Sequence, residues 1–158
     1  MKILFICTHN RCRSILAEAV TNHYAKGVIQ AMSAGSQPAG EVHPLTLKYL
    51  QEKKIDTANL KSQSWNEFKN EKFDAVITVC DSAAQEPCPL WIGESMKVHW
   101  GLADPSKLEG TEEEIREAFL KTIQTLKIRI KKLLSINFKA TSQNNLKDRL
   151  NEIAEEVK

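Results

Sequence analysis

The chain has 158 residues, of which 27% are Asp, Glu, Lys or Arg, and its formal net charge is only +2. That length suits one domain with a substantial core, and so even a charge balance leaves no field able to hold nucleic acid or an anionic membrane. No stretch approaches the roughly 18 apolar residues of a membrane span, and the apolar run after Met1-Lys2 is too short for a secretory signal, so a cytoplasmic protein without membrane contact is expected.

In chain order, the first strand is expected at Ile3 to Ile6. It runs into Cys7-Thr8-His9-Asn10-Arg11-Cys12-Arg13-Ser14, and a helical pattern follows from Ile15 to Ala25. A loop between a strand and a helix presents backbone N–H groups at the positive end of the helix dipole, where a tetrahedral anion can be cradled. The same field favours a thiolate, which makes Cys7 a candidate nucleophile. Arg13 can fold back and offer a planar fork of donors to two oxygens of the anion, and Ser14 can donate its hydroxyl to the thiolate. Single cysteines and arginines in such places are more often plain packing or surface residues. The combination at this spacing, on a strand-loop-helix, favours function. Thr8, His9, Asn10, Arg11, Cys12 and Arg13 are the candidate substrate-binding residues. Cys12 itself reads better as a small packing residue.

Further strands are expected at Val28 to Ala34, Phe73 to Val79 and Met96 to His99, with helices at Pro44 to Glu52 and Ser64 to Lys69. Strands alternating with helices predict an α/β fold, a four-stranded parallel sheet between two helical layers. All its strands then end at one edge, where ligands bind. Cys80 and Asp104 follow the third and fourth strands, so both are expected beside Cys7. Asp104 precedes Pro105, which holds it extended, and a carboxyl there can protonate a departing oxygen. On its own an Asp-Pro pair is an ordinary turn.

The segment from Cys80 to Cys88 is polar and small enough to form one helical turn and to remodel, so that its two thiols can meet. No cysteine pair has the spacing of a zinc knuckle and His9 and His99 are not paired, so no metal is expected. In a reducing compartment any disulfide would be transient rather than structural.

Thr111 to Leu134 is the clearest helix, with Glu112, Glu113 and Glu114 in its first turn and Lys131 and Lys132 near its end, as the macrodipole prefers. Its apolar positions, from Ile115 to Leu133, recur every three or four residues as core packing does. A polar linker is expected at Ala140 to Asn145 and a weaker helix at Leu146 to Val157. We divide the chain into a domain over 1–136 and an extension of it over 137–158.

The Cys-x5-Arg-Ser loop, the Asp-Pro after the last strand and the strand alternation resemble the low molecular weight protein tyrosine phosphatase superfamily. Val76 to Asp81, Cys88-Pro89 and His99-Trp100-Gly101 are similar to its arsenate reductases, which use a thiol cascade. The resemblance implies that arsenate, or a phosphate-like oxyanion, settles on the loop. Cys7 attacks arsenic, Asp104 protonates the leaving hydroxide, Cys80 attacks Cys7, and Cys88 carries the oxidation outward. No bound cofactor is implied. The recycling partner is an external thiol reductant, thioredoxin or glutaredoxin with glutathione, with thioredoxin the leading candidate. Some relatives hold potassium, and Asn10, Glu18 and Ser33 resemble part of that site, but the acidic ligand expected near Gln63 is missing, so no ion is expected.

The alternative is a low molecular weight tyrosine phosphatase or small phosphomonoesterase built on Cys7, Arg13 and Asp104 alone. Ser106 to Gly110 lack the aromatic pair that such phosphatases use to grip a tyrosine ring, which disfavours it as the main role. A non-enzymatic thiol sensor or metal module is a third possibility.

Overall fold

The computed structural model describes residues 1–86, 92 and 95–158. Four parallel strands, β1 (Lys2–Ile6), β2 (Gln30–Ala34), β3 (Ala75–Thr78) and β4 (Met96–His99), form one sheet in the order β2-β1-β3-β4. Ile3, Leu4, Phe5 and Ile6 are all buried, so β1 is covered on both faces, as its unbroken apolar run predicts. Helix α1 (Arg13–Tyr24) connects β1 to β2, and α2 (Pro44–Glu52) follows β2. After β3 comes the short α3 (Asp81–Gln85), and after β4 the long α4 (Glu112–Leu134), which packs on α1.

Two strands are shorter than predicted for a local reason. β2 and β3 are paired only where β1 offers partners, from Lys2 opposite Gln30 to Ile6 opposite Thr78, so Val28 and Phe73 fall outside the ladder. Thr111 caps α4 by accepting from the Glu114 N–H, which starts that helix one residue later than expected.

The last helix, α5 (Gln143–Glu156), begins inside the segment expected to be a linker. Ser142 caps it by accepting from the Asn145 N–H, so Gln143, Asn144 and Asn145 form its first turn. α5 buries Leu146, Leu150 and Ile153 against β4 and α4. Two polar anchors fix it. Trp100 Nε1 donates to Leu150 O at 2.9 Å, and Arg129 Nε donates to Val157 O at 2.9 Å. Arg129 also donates to Trp100 O and Gly101 O, so one buried guanidinium ties α5 to the segment that leads from β4 to Asp104. Among the described residues no helix is long and apolar enough to cross a membrane.

Candidate active site

The chain enters the sheet at β1, moves to β2 on one side, then returns to β3 and β4 on the other. The crevice at that reversal lies between the carboxyl ends of β1 and β3. Cys7 follows β1 directly and Cys80 follows β3 by one residue, and Ile6 stands opposite Thr78. The two sulfurs are therefore brought together at one cavity, close enough for each to shift the other's titration. They share a cavity of about 170 Å³ with Thr8, His9, Arg11, Cys12, Arg13 and Asp104. Cys88 lies outside the described residues.

The anion loop is braced from behind. Thr8 O, His9 O and Arg11 O accept from the backbone N–H groups of Gln37, Ala39 and His43, each at 2.9 Å. Because a trans peptide aims its N–H opposite its C=O, this bracing turns the N–H groups of His9, Asn10 and Cys12 inward, as an oxyanion requires. Gly35 makes the brace possible: a Cβ there would stand 2.5 Å from Thr8 O and 2.9 Å from Cys7 O.

The Asn10 side chain braces the loop from the other side. It is fully buried and left-handed, at φ 47°, and its side chain points away from the cavity. Asn10 Nδ2 donates to Ser14 Oγ at 2.7 Å and to Ser33 Oγ at 3.0 Å, while its Oδ1 accepts from the Gln63 N–H. Ser33 in turn donates to Glu18 Oε1 at 2.6 Å. Ser14 is buried under the loop and makes no hydrogen bond to Cys7 among the described residues. Gln63 Nε2 also donates to Ser33 O at 3.1 Å, tying its own segment to the same cluster.

Arg13 is aimed by two contacts. One terminal nitrogen donates to Leu102 O at 3.1 Å, and the other stands 3.5 Å from Asp104 Oδ2. Among the described residues its Nε is buried without a partner, a donor left open beside the cavity. Asp104 caps the turn Pro105–Lys107 through Oδ1, which accepts from Ser106 N at 3.0 Å and Ser106 Oγ at 2.6 Å. His9 and Arg11 are exposed at the mouth, and His9 Nδ1 is bound to Gln37 O at 3.0 Å. Cys12 is buried, and burial pushes its thiol up to about 11, consistent with a packing role.

The two sulfurs are coupled. The neighbouring Cys80 and burial push Cys7 above the usual thiol range. Cys80 is lowered to about 5 by Cys7, by the N–H groups of Ala83 and Thr8 and by the Thr8 hydroxyl, against its own burial. The pair titrates as a unit, its charge belonging to both sulfurs together.

Residues 2–150 match the family model described as low molecular weight phosphotyrosine protein phosphatase. The chain belongs to that family. Among its relatives in the phosphatase family is an arsenate reductase of Shouchella clausii, 36% identical over 130 residues, which cover 82% of this chain and 92% of that protein. A glutaredoxin arsenate reductase of Synechocystis sp. is 31% identical over 104 residues, 66% of this chain and 78% of the relative. The solved thioredoxin-dependent arsenate reductase of Corynebacterium glutamicum superposes with a TM-score of 0.60 and 32% identity, covering 85% of this chain and 63% of that one.

Proposed function

We propose that the protein reduces arsenate to arsenite through Cys7, Cys80 and Cys88 and is recycled by an external dithiol. The observation that carries this reading is the meeting of Cys7 and Cys80 over a braced anion loop. A phosphatase needs the first thiol only. The second gives electrons a route out of the first.

Arsenate would settle on the inward N–H groups with Arg13 against its oxygens, its charge offset by the guanidinium and the helix dipole. Cys7 attacks arsenic as the thiolate, the proton of the coupled pair then resting on Cys80. Asp104, oriented by Ser106, protonates the departing hydroxide, and water leaves. Cys80 then gives its proton to water and attacks Cys7 Sγ as the thiolate. The S–As bond breaks, its electron pair goes to arsenic, and arsenic(V) becomes arsenic(III). Arsenite departs after taking up protons, and a Cys7–Cys80 disulfide remains. Cys88 attacks Cys80, releasing Cys7 as thiolate and leaving Cys80–Cys88 for an outside dithiol. Thioredoxin is our leading candidate for that partner and glutaredoxin with glutathione the rival. Either couple places the protein in the reducing cytoplasm. Slow hydrolysis of small phosphomonoesters follows from the shared Cys7, Arg13 and Asp104.

The test is arsenite release by the purified protein with a thioredoxin system or with glutaredoxin and glutathione. Arsenate-dependent reductant consumption is expected with one of them, and its absence with both refutes the proposal.

A further inference from the structure

Thr8 Oγ1 sits between two acceptors. It donates to Glu86 Oε1 at 2.9 Å and lies 3.8 Å from Cys80 Sγ, a contact in which either atom can be the donor. A hydroxyl has one proton, and an ionised carboxylate only accepts. While Glu86 is ionised and in place, the Thr8 proton is committed to it. The contact to Cys80 is then satisfied only when Cys80 keeps its own proton and donates it to Thr8. Without the carboxylate, Thr8 can turn its proton to a Cys80 thiolate instead.

We infer that Glu86, the residue that ends α3, is a positioning residue that acts through Thr8 to disfavour negative charge on Cys80 and so favour it on Cys7. The inference rests on the reading of Cys7 and Cys80 as successive nucleophiles. Since the pair shares a proton, whatever withholds a donor from one sulfur moves charge toward the other. Glu86 thereby tempers the preference for Cys80 that the Ala83 and Thr8 amides create. It keeps a reactive fraction of Cys7 thiolate for the first attack. The other charged and titratable groups around the sulfurs are His9, Arg11, Cys12 and Arg13 of the loop, Asp81 at the start of α3 with His99 of β4 bound to it, and Asp104 and Lys107 across the cavity. None of them touches the Thr8 hydroxyl among the described residues.

The experiment measures iodoacetamide alkylation of Cys7 and Cys80 separately, by peptide mass spectrometry between pH 5 and 9, each rate normalised to its alkaline plateau. In Glu86→Ala and Glu86→Met the ratio of Cys7 to Cys80 reactivity at pH 6.5 is expected to fall at least about tenfold, the worth of one hydrogen bond to a charged group. In a Thr8→Val background the same substitutions are expected to do nothing, because the shared proton is gone. An unchanged ratio, or an equal fall in the Thr8→Val background, overturns the inference. Glu86→Met keeps most of the side-chain bulk without an acceptor for Thr8 and so guards against a folding artefact. Arsenite release by the same proteins is read in parallel. A changed ratio without arsenite release would sink the functional reading alone, and release with an unchanged ratio would sink only the role of Glu86.

Discussion

Glu18 gives the sharpest quantitative expectation. Its carboxyl is 9% exposed and accepts from Ser33 Oγ at 2.6 Å, yet no cation faces it among the described residues. Burial raises its pKa from 4.5 to about 7, partly opposed by the Ser33 hydroxyl and amide. The folded chain therefore holds this proton more tightly than the unfolded chain does. The stabilisation is complete below about pH 4.5 and is lost as pH rises through about 7. Across that window the loss is on the order of 3 kcal/mol. Glu18→Gln stays neutral at every pH, and its amide oxygen can still accept from Ser33. The variant should match the wild type near pH 4.5 and exceed it by about 2–3 kcal/mol at pH 8, or roughly 5–10 °C in Tm. Urea unfolding of both proteins at four pH values measures the difference, which cancels titrations the two share. A difference that stays flat with pH, or that favours the wild type at pH 8, refutes the reasoning.

Other expectations concern the supports of the loop. Arg129→Met keeps most of the side-chain volume but leaves Val157 O, Trp100 O and Gly101 O without their donor. It should cost about 2–4 kcal/mol and lower turnover by loosening the segment that carries Asp104; calorimetry showing a loss under about 0.5 kcal/mol contradicts this. Gly35→Ala pushes a Cβ against Thr8 O and Cys7 O. It should weaken phosphate binding at least tenfold, and an unchanged dissociation constant by isothermal titration would show that the loop is not braced there. Asp104→Asn should slow single-turnover arsenite formation about 10²–10⁴-fold while phosphate still binds, and rapid-quench kinetics decide it.

Much of the architecture was legible because β1 and β3 are short apolar runs and α2 and α4 carry their own caps. Met96–His99 has the bounds that its pattern predicts. What composition hid was the start of α5, where Gln143 to Asn145 look like a linker until Ser142 is seen as their cap. At the site, the Cys7, Arg13 and Asp104 positions could be read from the motif because loop, helix and Asp-Pro turn are local. The brace from Gly35 to His43 could not, since a glycine at a strand end is an ordinary sight until Thr8 O is found pressed on it. Glu86 was invisible for the same reason, its partner Thr8 being far away in sequence. The coupling of Cys7 to Cys80 was not legible, because the loop dipole is written in the sequence, whereas burial and the neighbouring sulfur arise only on folding.

The most direct measurement of the thiol relay uses the Cys88→Ser protein. Reduced, mixed with excess arsenate, acid-quenched and mapped by non-reducing mass spectrometry, it should yield about one arsenite per chain and a Cys7–Cys80 disulfide. Continued turnover, no arsenite, or a disulfide from Cys7 to Cys12 would contradict the account.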